Sequence, residues 1–271
     1  MLAAHPATRR GDLMHVSYTA YYEAVRTTGQ RLSTLMLVAA VVTAAGCPSR
    51  TRGIEPEPAS IAQLRSAANR GDATAQHELG VKYFTGNGVR EDFTEAASWI
   101  RKSADQSLPA AESDLAEMYK IGLGVSINAA QSATWFRKAA DQGNAIAQYN
   151  LGLAYRDGRG VPWDDRQSVA WLRKAAEQGD RDAENALATA YLNGRGVAED
   201  HAQAAEWFRK SADQGLALAA YMLGMQYAKG DGVPRDASTA LKWLDIAAAK
   251  STRQNQQKFA AARDAVARTA R

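Results

Sequence analysis

Apolar residues between Gly71 and Lys250 follow a helical spacing, and that spacing is itself repeated. Ala75, Leu79 and Tyr83 fall at i, i+4 and i+8, one face of a helix, and a second apolar stripe runs through Ala96, Trp99 and Ala104. The same pattern returns every 36 residues, five times in all. Leu79, Leu115, Leu151, Leu187 and Leu223 form one constant column, and Tyr83, Tyr119, Tyr155, Tyr191 and Tyr227 a second. Trp99, Trp135, Trp171, Trp207 and Trp243 form a third. Between the Tyr and Trp columns lies Gly-x-Gly-Val, as at Gly86, Gly88 and Val89, a pair of glycines suited to a tight turn between two helices. Asp92, Asn128, Asp164, Asp200 and Asp236 follow the turn as predicted N-caps of the second helix. An Arg-Lys pair such as Arg101-Lys102 complements the dipole near that helix's end. Gln-Gly, as at Gln142-Gly143, terminates it. A fixed period of this length is the signature of a stacked repeat architecture.

None of these short helices can bury its stripe alone, so the units must stack to form a core. The position after the constant Leu alternates Gly80, Ala116, Gly152, Ala188 and Gly224, small residues that mark close approach of a neighbouring helix. Identity in every unit is what packing requires, so the Trp and Tyr columns are assigned to inter-helix contact and not to a ligand-stacking ladder. The pattern Ala-x3-Leu-Gly-x2-Tyr-x2-Gly-x-Gly-Val, then Asp-x3-Ala-x2-Trp-x-Arg-Lys-Ala-Ala, resembles the Sel-one-like repeat (SLR), a relative of the tetratricopeptide repeat. The resemblance spans residues 71–250. It implies an all-α fold, a right-handed α/α superhelical solenoid of five helix-turn-helix repeats, and a role as an adaptor or scaffold in protein assembly.

The ends depart from the pattern in ways that fit capping. Residues 59–70, with Ile61, Leu64 and Ala67, align with the second helix of a repeat lacking its first, so the solenoid is assigned to 59–250. Residues 251–271 read as a polar C-terminal capping helix with Phe259 and Val266 facing inward. The last repeat carries Asp245 and Ile246 where the others have Arg-Lys. The second has Pro109 at its first helix start and Asn128 in the Asp column.

Residues 1–58 differ in kind. An uncharged run through Leu35 to Val42 follows Arg26 and Arg31 and leads to Thr43-Ala44-Ala45-Gly46-Cys47. Basic flank, short apolar core and small residues make residues 1–46 a signal peptide, with Met14 as an alternative start. The run from Leu32 to Cys47 is shorter than a spanning helix needs. Ala44-Ala45-Gly46-Cys47 resembles a bacterial lipobox, which implies lipidation of Cys47, with residues 47–58 as a lipidated Cys and flexible tether. The competing reading is an uncleaved membrane anchor with an incidental Cys. Pro48 stands where an Asp would retain a lipoprotein at the inner membrane. The expectation is therefore a bacterial envelope protein, lipid-anchored and held at the outer membrane facing the periplasm; secretion or inner-membrane anchoring is the alternative.

Charge and chemistry argue against several functions. The formal charge of +4 falls to +2 beyond Cys47, where 29 basic and 27 acidic residues remain. The Arg-Lys pairs, one per repeat, read as solvated helix ends, so nucleic-acid binding has no support. After cleavage only His77 and His201 remain, in different repeats and without a second ligand at metal spacing, so no metal and no cofactor is expected. Gly-x-Gly joins helix to helix with no preceding strand and so fails the context test of a dinucleotide motif. The chain reads as a non-enzyme.

If the constant columns are packing, specificity belongs to variable positions of each first helix, which line the concave face in related superhelical repeats. Relative to the constant Leu, these give a candidate groove for a protein or peptide of His77, Asp114, Glu117, Tyr149, Asn150, Leu153, Asn185, Tyr221, Met222 and Met225. Groove exposure is expected at Tyr149 and Leu153, whereas Tyr221, Met222 and Met225 have a second reading as contacts of the capping helix. The functional expectation is an envelope scaffold. A secreted or surface-displayed regulatory or host-interaction protein is the alternative, and a cell-wall-active hydrolase a remote one.

Overall fold

A computed structural model of the chain describes residues 59–269. The proposed signal peptide, Met14, Cys47 and the tether lie outside the described residues. Twelve helices and no strand occur among the described residues: α1 (Ala59–Asn69), α2 (Ala73–Thr85), α3 (Phe93–Ala104), α4 (Pro109–Ile121), α5 (Ala129–Asp141), α6 (Ala145–Asp157), α7 (Asp165–Glu177), α8 (Arg181–Leu192), α9 (His201–Asp213), α10 (Ala217–Lys229), α11 (Ala237–Lys250) and α12 (Arg253–Thr269). Each packs mainly on its neighbours in the chain, which makes a solenoid of five two-helix units between single helices at either end.

Local chemistry sets most boundaries, although α4 and α10 start after Leu108 and Leu216 without a side-chain cap. Asp92, Asn128, Asp164, Asp200 and Asp236 are extended and accept from first-turn amides of α3, α5, α7, α9 and α11. The first helices end on Gly86, Gly122, Gly158 and Gly230, all left-handed, and on Asn193 in the fourth repeat. The second Gly of each turn has a different task. A Cβ on Gly124, Gly160, Gly196 or Gly232 would overlap the backbone of Phe93, Ala129, Asp165 or His201, the opening residue of the preceding repeat's second helix. Only a bare backbone lets each turn sit on the helix start of the repeat before it. Gly80, Gly152 and Gly224 likewise face Ile100, Leu172 and Leu244 inside their own repeats, where a Cβ would meet a branched side chain at 2.5 to 2.9 Å.

The constant Leu column is fully buried, and Trp99, Trp135, Trp171 and Trp207 are buried beside it, as packing requires. The Lys of each Arg-Lys pair is exposed at its helix end, as expected, and both members also make specific contacts. Lys102, Lys138, Lys174 and Lys210 lie over the Trp rings of their own helices at 3.7 to 4.0 Å. Arg101, Arg137, Arg173 and Arg209 each donate to the Tyr hydroxyl 18 residues on, in the next repeat, with Arg173 to Tyr191 at 2.6 Å. The constant columns therefore form rungs between repeats.

Both end helices keep this register. Arg65 of α1 lies over the Tyr83 ring as the other Arg residues lie over theirs. In α12, Phe259 falls one period after Leu223 and is buried, stacked on Tyr221 with centroids 4.6 Å apart. Arg263 stands in the Tyr column and pairs with Asp245 in the Arg column at 3.3 Å, so the last rung is a salt bridge with its donor reversed.

Candidate partner-binding surface

The variable positions of α2, α4, α6, α8 and α10 form a row, and neighbouring helices of the row touch. His77 of α2 is hydrogen-bonded through Nε2 to Asp114 Oδ2 of α4 at 2.8 Å. Lys120 of α4 donates to Glu117 at 3.1 Å and across to Asn150 of α6 at 3.0 Å. Asn150 donates in turn to the Ile146 carbonyl. As a result Asp114, Glu117 and Asn150 are only 1%, 5% and 7% exposed. That burial corrects their reading as open groove residues: Asp114 Oδ2 and Asn150 Oδ1 are engaged by neighbouring helices, and Glu117 by Lys120 of its own. At the far end Tyr221 is covered by Phe259, Met222 packs on the core beneath, and Met225 packs with Leu244 and Val266, the capping-helix alternative.

Tyr149, Leu153, Asn185 and Ala186 are half-buried, and Thr189 is exposed. Tyr149 and Leu153 lean on the core under α8 and keep part of each side chain exposed. Burial raises the Tyr149 phenol well above its ordinary range, and the Asp182 and Asp180 carboxylates add to the shift. The hydroxyl is thus protonated at any physiological pH and available as a donor.

The exposed pair in the turns and the partners of His201 lie outside what the sequence pattern indicates. Ile127 and Trp163 are 71% and 63% exposed and occupy the same position in successive turns, where the other repeats carry Glu91, Glu199 and Arg235. Trp163 is legible as the tryptophan outside the constant column. His201, at the start of α9, bonds Asp231 of the fifth repeat and, at 2.7 Å, Glu199. Those two hydrogen bonds raise its pKa, Asp231 contributing most. Among the described residues no three His, Cys, Asp or Glu side chains are grouped to hold a metal ion, and no helix is long and apolar enough to cross a membrane.

Stacked two-helix units, rungs of constant side chains and a row of variable ones define an α/α repeat solenoid that presents surface. The Sel1 repeat model matches residues 73–108, 109–144, 145–180, 181–216 and 217–251, two-thirds of the chain, and the chain belongs to the Sel1 repeat family. A crystallised protective antigen of uropathogenic Escherichia coli displaying an SLR fold is 40% identical, with a TM-score of 0.68, over 70% of this chain and 40% of its own. A Sel1 repeat protein from Oxalobacter formigenes is 29% identical with a TM-score of 0.66, over 72% of this chain and 86% of its own. The secretory immunoglobulin A-binding protein EsiB of Escherichia coli is 44% identical over 43 residues, 16% of this chain and 9% of that protein. The chain therefore spans less than half of the antigen and about a tenth of the immunoglobulin-binding protein. Membership identifies the solenoid as a stack of five Sel1 repeats.

Proposed function

We propose that the protein is a non-enzymatic scaffold of the bacterial cell envelope, tethered through lipidated Cys47, that holds a protein or peptide in the central part of its row of first helices. The observation that carries this reading is the uneven use of the row. In repeat two Asp114 and Glu117 are buried, with Asp114 bonded to His77 and Lys120 reaching Asn150. In repeat five Tyr221 is stacked on Phe259, although His77, Tyr221, Met222 and Met225 keep partial exposure. Tyr149, Leu153 and Asn185 stay half-open between them. Half-exposed apolar and aromatic side chains beside an amide form the mixed surface that protein interfaces favour.

The expected test outcome is concrete. Affinity-tagged full chain, chemically crosslinked in cells, should recover a partner that is lost from Leu153→Glu combined with Asn185→Arg, while thermal melts stay cooperative. An unchanged partner band from the double variant would rule out this surface. For the anchor, radiolabelled fatty acid should enter wild type and not Cys47→Ser; an unlabelled wild type returns Cys47 to an incidental residue.

A second reading, a surface-displayed or secreted host-interaction protein, draws support from the match to an immunoglobulin A-binding protein and from likeness to a protective antigen. It uses the same surface and differs in location, so protease accessibility on intact cells separates the two.

A further inference from the structure

We infer that the edge of the solenoid carrying Ile127 and Trp163 lies against the lipid bilayer, with these two side chains in its interfacial layer; this rests on the membrane-tethered reading of Cys47. The geometry begins with the turns. Gly124, Gly160, Gly196 and Gly232 each sit on the first residue of a preceding second helix, and a Cβ on Gly88 would lie 3.1 Å from Ile61 near the start of α1. The Gly-x-Gly turns and the N-termini of α1, α3, α5, α7 and α9 therefore share one edge. Ala59 opens α1 at that edge, so the chain from Cys47 enters the solenoid there. Residues 48–58 separate the two, 11 residues that span at most about 40 Å fully extended. A bilayer holding Cys47 is thus within reach of this edge.

On the same edge, in successive repeats, stand the two most exposed large apolar side chains of the described residues. Both immediately precede an N-capping residue, Asn128 or Asp164, whose side chain is already engaged by its helix. Some charges of these turns and the helix ends beside them are paired, Arg195 with Asp165 at 3.0 Å and both Arg156 and Arg159 with Asp157 at 2.8 and 3.6 Å. Contact carried by Trp and Ile, not by a basic patch, suits the headgroup–acyl boundary, where tryptophan is enriched, and does not require anionic lipid.

Full chain bearing its anchor would be reconstituted into phosphatidylethanolamine–phosphatidylglycerol vesicles with brominated acyl chains, floated, and read by tryptophan emission. Trp99, Trp135, Trp171 and Trp207 are buried and Trp243 is half-buried, so the lipid-quenched component that disappears in Trp163→Phe reports Trp163. The expected result is quenching of roughly one tryptophan's share in wild type, absent from Trp163→Phe and reduced by Ile127→Ser, with all three floating and melting alike. Equal quenching of wild type and Trp163→Phe overturns the inference. So does flotation without quenching, whether Trp163 is then open to aqueous acrylamide or shielded by a protein or by residues 1–58; that outcome leaves the anchor standing. Failure to float overturns the anchor and this inference together.

Discussion

At the residue scale, the repeats make each position its own control. Gly71, Gly143, Gly179 and Gly215 end second helices with positive φ, and Ser107 holds the same place at φ 63°. A side chain in that region costs about 1–2 kcal/mol. Ser107→Gly should therefore stabilise the fold by about 0.5–1 kcal/mol after the added freedom of the unfolded chain is deducted, seen as a higher urea midpoint with unchanged slope. Glu112 offers a second comparison. Gln76 and Gln148, one period either side, donate to the Ala68 and Ala140 carbonyls of the preceding helix. An ionised Glu112 has no proton for such a bond; it only accepts from Gln142 at 2.7 Å. Burial raises its pKa against the opposing effects of Lys138 and Gln142. A raised carboxyl stabilises the fold when protonated, so this contribution is complete at low pH and lost as pH rises through the folded-state value. Glu112→Gln should gain about 1 kcal/mol, more at pH 8 than at pH 5; an equal gain at both would contradict the assignment.

At the element scale, what matters is which backbone touches which. Gly143 and Gly160 both have positive φ, yet a Cβ on Gly143 meets nothing within 4 Å while one on Gly160 strikes the Ala129 carbonyl. Gly143→Ala is predicted to cost about 1 kcal/mol from conformation alone and Gly160→Ala about 3, because the α5 start must move as well. Chemical denaturation of the two variants checks the difference. The helices, turns and caps behind these contrasts were legible in the sequence, since the 36-residue columns carry N-cap, turn and stripe together. The rungs were not. Arg137 and Tyr155 read as a helix-end charge and a packing ring, and only stacking shows that 18 residues bring guanidinium to hydroxyl. A double-mutant cycle on that pair should return a coupling of about 0.5–1 kcal/mol. Burial at Asp114, Glu117 and Asn150 was hidden for the same reason, because their partners lie in the adjacent repeat or gain position from it. Trp163 was legible as a departure from its column, but its edge became meaningful only with the turns in place.

At the scale of the whole molecule, stability in a stack is a sum over neighbouring interfaces. Phe259 closes one end, so Phe259→Ala should cost about 3 kcal/mol or more locally. Amide exchange should quicken in α10 and α11 while α2 and α3 keep their protection; uniform loss along the chain would contradict a neighbour-by-neighbour stack. The same separation governs function, with constant side chains spent on stacking and the open variable ones left for a partner. A photo-crosslinking residue placed at Thr189, exposed in the middle of the row, tests that division most directly when compared with one at Thr134 on the second helix of repeat two. A discrete crosslinked partner is expected from Thr189 in cells and none from Thr134. Crosslinking from Thr134 alone, or equally from both, would contradict it.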